Sequence, residues 1–420
     1  MKTAPLTCLL LLALAPVAPA DDWIERLNPY LAVSAFHGNF RARVSGLVDL
    51  EGYYLEQPTP GLLYTSEREL ANARLTLFLD AQVGPWLYAF AQARLDRGFD
   101  PSESDAEVRL DEYAVRVSPW EDGRFSVQIG RFGTIVGNWV ERHLSWDNPF
   151  VTAPLPYENL TGIWDSYAPD SAETQLYWGY VPHKEPGGEE VQYGDPSVDK
   201  PLRNPIVWGP SYATGASVAG KVGHFEYAAE LKNASLSSRP EGWDVNEIGF
   251  DHPTFSTRFG FRPNEMWNFG VSASNGAYMT PESEPSLPPG KDRGDYRQLV
   301  LAQDISFAWR HLQIWAEFYE CRFEVPNVGD ADTFAYYVEA KYKFTPQLFG
   351  ALRWNQQLFD TIAYEGKQMP WGNDLWRIDA ALGYRFTAHT QLKVQYSIEH
   401  DSSDPSDYAH NFAGQLTVKF

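Results

Sequence analysis

Three features of the chain predict an all-β fold closed into an antiparallel barrel. Apolar and polar residues alternate with a period of two over many runs of 10–15 residues. Short and long connections between those runs alternate in turn. Aromatics reach 15% of the chain although mean hydropathy is −0.39, so greasy residues are spread rather than massed. No internal apolar run approaches the roughly 18 residues of a membrane helix, whereas each alternating run is long enough to cross a bilayer as a tilted strand.

The start is read separately. Residues 1–20, MKTAPLTCLLLLALAPVAPA, join a lysine, a short apolar run and an Ala-Pro-Ala end, the pattern of a secretory signal peptide cleaved after Ala20. Cys8 would leave with it, so Cys321 would stand alone and no internal disulfide could form. Residues 21–39 show no clear period and read as a periplasmic leader; 40–420 read as the barrel.

The first strand puts Phe40, Ala42, Val44, Gly46, Val48 and Leu50 on one face and Arg41, Arg43, Ser45, Asp49 and Glu51 on the other. The alternation then predicts sixteen strands, near 40–54, 69–83, 86–96, 107–118, 123–133, 211–222, 225–234, 253–262, 266–276, 297–309, 312–324, 332–344, 348–359, 374–386, 391–401 and 408–420. Seven tight turns join them at one end, such as Gly84-Pro85, Arg310-His311 and Thr387 to His389. Longer connections rich in Gly, Pro, Ser and acids (55–68, 97–106, 235–252, 277–296, 325–331, 360–373, 402–407) join them at the other. The parity sends both chain ends to the short-turn side.

Residues 134–210 break the rhythm as a long excursion after the fifth strand. Within them Glu173 to Val181 looks strand-like. Eighteen strands would need a partner in 182–210, which is crowded with Pro, Gly and charge, so sixteen strands with a hairpin inside the loop is the preferred reading.

The last stretch, YAHNFAGQLTVKF (408–420), alternates Phe412, Gly414, Leu416, Val418 and Phe420 against Asn411, Ala413, Gln415, Thr417 and Lys419. It resembles the closing strand of bacterial outer-membrane β-barrels. With the export signal, the alternation and the turn asymmetry, most of the chain resembles outer-membrane porins, general or substrate-selective. Residues 127–150 are similar to the place where porins leave a strand for a constriction loop. The resemblance implies a transmembrane channel for passive diffusion of small hydrophilic solutes, anions included. It also implies an outer-membrane location amid lipid and lipopolysaccharide, assembly by the barrel machinery and a homotrimer. The alternatives are an eighteen-stranded sugar-selective channel or polysaccharide exporter, and a structural or adhesive barrel.

A sixteen-stranded barrel is too wide for its own side chains to fill, which makes the excursion the natural restriction. Arg41, Arg43, Arg74, Arg94, Arg116 and Arg124 are expected on the inward faces of the first five strands. Glu141, Asp147, Glu158 and Asp165 are expected on the loop, with Trp139, Trp146 and Trp164 packing it. A basic wall facing an acidic loop would set a transverse field across the pore. The competing reading is that Asp49, Asp80 and Asp96 neutralise the arginines. Trp315, Glu317 and Tyr319 share an inward face and form a candidate sugar track. His400, Asp401, Asp404, Asp407 and His410 cluster in the last loop, but no metal-ligand spacing repeats, and neither metal nor cofactor is expected. None of the nine histidines sits in a nucleophile motif, so no enzyme is expected. A net charge of −21 argues against nucleic acid as a partner.

Overall fold

The computed structural model describes residues 21–56, 68–98, 105–179, 203–239, 249–402 and 408–420. The export signal expected at 1–20 lies outside the described residues, as do parts of the long connections, including Asp404 and Asp407.

Sixteen strands form a closed antiparallel wall. They are β1 (Phe40–Leu55), β2 (Glu69–Val83), β3 (Leu87–Asp96), β4 (Glu107–Val117), β5 (Ser126–Phe132), β6 (Ala213–Val222), β7 (Phe225–Lys232) and β8 (Thr254–Phe261). Then come β9 (Trp267–Ala277), β10 (Arg297–Trp309), β11 (Leu312–Val325), β12 (Gly329–Lys343), β13 (Leu348–Phe359), β14 (Leu375–Arg385), β15 (Thr390–Asp401) and β16 (Ala409–Lys419). Closure is made by β16 against β1, with Leu416 opposite Leu50 and Val418 opposite Val48. A closed wall satisfies every ladder hydrogen bond and leaves no edge, the condition for strands to cross a bilayer.

The ring ends where Phe420 seats on Gly46. The two exchange backbone hydrogen bonds of 3.0 and 3.1 Å. A Cβ on Gly46 would stand 2.4 Å from the Phe420 ring, so only glycine leaves room for it. Residues 21–39 form a short helix (Asp21–Leu27), single 3-10 turns and the strand Ala32–Ala35, which pairs with the start of β1.

The outward faces carry the apolar half of the alternation. Leu77, Leu79, Val108, Leu110, Ile129, Val271, Leu301, Leu352 and Leu382 are all exposed there. Aromatics stack across neighbouring strands on the same face, as with Trp354 on Trp376 at 5.5 Å and Phe318 on Tyr336 at 5.8 Å. Aliphatic and aromatic residues toward lipid are the surface of a membrane-spanning barrel.

Two expectations are corrected. The strand-like stretch at 173–181 forms an α-helix over Ala172–Gly179, so it adds no crossing strand and the count stays at sixteen. The connection expected to run long over 325–331 is a three-residue turn, because β12 already begins at Gly329. Asn327 supplies the left-handed corner there, with φ +61°.

The excursion after β5 folds into the barrel. With residues of β10–β12 and the neighbouring connections it builds an apolar core that includes Trp139, Tyr157, Ile163, Ile206, Tyr278, Tyr319, Phe323 and Trp371. The loop is therefore a packed plug over part of the lumen rather than a strap across it.

Candidate functional site: the slot between the plug and the open wall

The plug is fastened to one side of the barrel, β11 to β15. Glu317 on β11 accepts the backbone N–H groups of Asn138 and Trp139, the latter at 2.9 Å, and the Tyr157 hydroxyl at 2.7 Å. Arg142 pairs with Glu339 on β12 at 2.6 Å, and its guanidinium lies 4.4 Å over the Trp315 ring. Arg353 on β13, fully buried, holds Asp379 at 2.8 Å and donates to the carbonyls of Thr152 and Ala153 at 3.2 and 3.0 Å. Arg377 on β14 joins Glu158 to Asp379 and donates to the Ala153 carbonyl at 2.6 Å.

Lys393 on β15 completes the clamp. Its ammonium donates to three plug carbonyls, Ser145 at 2.8 Å and Asn148 and Phe150 both at 2.9 Å. Three donors meet three acceptors, so a buried charge is fully hydrogen-bonded. The segment 145–153 turns its carbonyls toward the wall because the wall supplies these cations.

The other side of the barrel is touched by the plug at few points, such as Val151 against Tyr53 and Leu70. A cavity of about 140 Å³ runs between the plug residues Trp139, His143 and Phe150 and the inward faces of β1 to β4. Its wall carries Arg74, Arg94 and Arg109, each tied to carboxylates. Arg74 meets Asp49 at 3.2 Å and Glu51 at 2.6 Å; Arg94 meets Asp111 at 2.9 Å; Arg109 meets Asp96 at 3.0 Å. Positive and negative groups therefore alternate along one face of the slot, a strongly polar lining in which four carboxylates meet three guanidinium groups.

The ten sequence-predicted residues separate into groups. Arg74, Arg94 and Glu158 line the cavity together. Arg41 and Arg43 are exposed near the short-turn end of β1. Arg116 lies lower on β4 and donates to Gln128 at 2.7 Å. Arg124, expected on a strand, sits in the turn before β5 and pairs with Asp122 at 2.6 Å. Glu141 and Asp147 are exposed, while Asp165 is buried against Arg239 at 3.3 Å. Burial pushes the Asp165 carboxyl up to about 6 despite Arg239.

Arg109 was missed because of a β-bulge. The β3–β4 register shifts between Gln92 and Ala93, which skips Asp111. The face of β4 therefore changes parity at that point, and Arg109 and Arg116 both turn inward although seven residues separate them. Trp315, Glu317 and Tyr319 do share an inward face, but the plug covers it. Among the described residues no group of three or more His, Cys, Asp or Glu could hold a metal.

One histidine joins the two sides. His143 on the plug donates from Nδ1 to the Val140 carbonyl at 2.6 Å, and its Nε2 meets the Tyr212 hydroxyl at 2.9 Å. Tyr212 also accepts from Gln92 on β3 at 3.2 Å. Burial, reinforced by Arg94, pushes the imidazole down to about 4, so it is neutral at pH 7.

Solved structures share this architecture. The OmpF porin of Salmonella typhi, in complex with daunomycin, superposes with a TM-score of 0.56 at 12% identity, covering 92% of this chain and 100% of that one. The outer-membrane channel DcaP of Acinetobacter baumannii gives 0.55 at 10%, covering 92% and 100%. An anion-selective porin from Comamonas acidovorans gives 0.54 at 11%, covering 91% and 100%. No protein-family model and no curated protein sequence matches the chain. At these identities the likeness is one of fold: a sixteen-stranded antiparallel barrel of porin type.

Proposed function

We propose that this outer-membrane barrel of porin fold is a passive channel for small hydrophilic solutes. The observation that carries the reading is the polar cavity left between an inward-folded plug and β1 to β4, lined by charged side chains. A solute crossing a membrane needs water-like contacts along its path, and this face supplies donors and acceptors at each step. The alternation of charge suits dipolar and zwitterionic solutes, because each guanidinium stands beside a carboxylate. No catalytic step is proposed.

The outer surface supports assembly into a homotrimer. The lipid-side faces of β1 to β3 carry small residues, Ala42, Gly46, Ala71, Ala73, Ala89, Ala91 and Ala93, interspersed with exposed aliphatics such as Leu50, Leu77 and Leu79. Exposed aromatics instead gather on β8 to β10, among them Phe255, Phe259, Trp267 and Trp309. Close approach of two backbones needs small residues, and lipid contact favours the aromatics.

The test is conductance in planar bilayers. The purified chain is expected to insert in discrete steps with ohmic current in potassium chloride. A barrel that inserts yet stays electrically silent would overturn the channel reading.

A further inference from the structure

Cations at the short-turn end have a different environment from those of the slot. Lys341 and Lys343 on β12, Arg385 on β14, Lys419 on β16, and Arg41 and Arg43 on β1 all belong to inward positions near that end. Among the described residues none of these six forms an ion pair, whereas Arg74, Arg94 and Arg109 are each paired within 3.2 Å. Lys341 is only 6% exposed, rests 4.3 Å over the Phe349 ring, and has Arg385 and Lys343 as like-charged neighbours.

The plug contributes an apolar floor. Trp146 turns its ring to this group, with the Arg385 guanidinium 5.0 Å and the Lys419 ammonium 5.5 Å from its centre. Arg385 is further oriented by Gln391, which accepts from its Nε at 2.9 Å. The acids facing the cluster are few. Asp147 is exposed on the plug, Asp80 on β2 stands opposite Arg43 and accepts the Tyr88 hydroxyl, Glu339 stands beside Lys341 on β12 but is committed to Arg142, and the carboxyl group of Phe420 lies at the foot of β16. Like charges gathered with no counter-charge in ion-pair contact, one of them buried, store repulsion that a bound anion would relieve.

We propose that this inner vestibule is an anion site, centred on Trp146, Arg385, Lys341 and Lys419, for small solutes with two or more negative charges on phosphate or carboxylate oxygens. The slot sets three guanidinium groups against four carboxylates and holds no excess of positive charge, so the vestibule supplies the anion preference of the channel. Arg385 offers a planar fork for two oxygens; the lysines add mobile donors around it. The consequence for current rests on the channel reading, but binding itself does not.

The experiment uses the full chain in detergent, with folding confirmed by its heat-modifiable band on a gel. Titration calorimetry at low salt with pyrophosphate, and in parallel with citrate, separates phosphate from carboxylate preference. K341Q/R385Q/K419Q is expected to weaken pyrophosphate binding about tenfold or more; the single variants R385Q and K419Q, each about threefold, carry the test if the triple variant does not fold. In bilayers under a salt gradient the same variants should move the reversal potential toward cations. Equal binding by the parent and folded variants, with an unchanged reversal potential in a conducting channel, overturns the site and leaves the channel standing. A silent barrel that binds pyrophosphate and loses it in the variants retains the site and overturns the channel.

Discussion

The two halves of the lumen carry similar residues and use them differently. On β11 to β15, Arg353, Arg377 and Lys393 are buried and spend their donors on plug carbonyls and carboxylates. On β1 to β4, Arg74, Arg94 and Arg109 keep partial exposure and are paired along their own wall. Charge that meets backbone carbonyls away from water fixes a loop, because every unmade bond there costs the desolvation of a buried group. Charge that meets carboxylates beside a cavity leaves a path open.

The largest effect should follow from breaking the clamp. Lys393→Met removes three charged hydrogen bonds and strands the carbonyls of Ser145, Asn148 and Phe150. A loss of about 3 kcal/mol is expected in urea unfolding of the lipid-reconstituted chain, with larger and noisier single-channel currents as the plug loosens. Unchanged stability and current would mean that Lys393 holds nothing.

A second break lies at the seam between the open wall and β16. Gly46→Ala drives a methyl group into the Phe420 ring, and a loss of about 2 kcal/mol is expected from overpacking. Refolding yield into detergent micelles should fall accordingly, while ion preference in the folded fraction stays as in the parent.

Acid should loosen the bridge between the halves. His143 binds its proton more weakly when folded, at about 4 against 6.5 for the free side chain. The unfolded chain therefore takes up the proton first. The contribution is fully present above about pH 6.5 and is lost as pH falls toward about 4, amounting to about 1–2 kcal/mol after allowance for its partial exposure. His143→Gln should flatten the fall in stability across that window, read by urea titrations at pH 7.5 and 4.

The smallest cost in stability is expected on the open wall. Arg74→Gln leaves Asp49 with the Thr417 hydroxyl and Glu51 with Tyr53, Asn72 and Gln415. About 1 kcal/mol is expected, yet the slot gains negative charge, so the reversal potential should move toward cations. A stability loss as large as that of Lys393→Met would erase the distinction between the halves.

How much of this could be read beforehand depends on the period. A strict two-residue repeat fixes both a strand and its faces, which is why β1, β2 and β10 keep the bounds that alternation assigns, within a residue. Reading failed where local pattern yields to tertiary contact. ETQLYWGYV alternates well enough for a strand, but from a helix Leu176 enters the plug core and Trp178 stacks on Trp164. Arg109 was hidden by a single bulged residue, Asp111. The plug contacts were hidden by distance, because nothing local in Lys393 announces carbonyls some 245 positions earlier. Charge pairing was legible in part. Asp49 lies directly opposite Arg74 in register, so neutralisation of the arginines was open to view.

The central claim is that solutes pass along β1 to β4 and not along β11 to β15. Single cysteines at Arg74 and at Asn355, placed in a Cys321→Ser background, test it in planar bilayers with a small charged thiol reagent. Reagent added to the conducting channel should reduce the current of R74C in a step and leave N355C unchanged. Equal blockade of both, or blockade of N355C alone, would contradict the placement of the path.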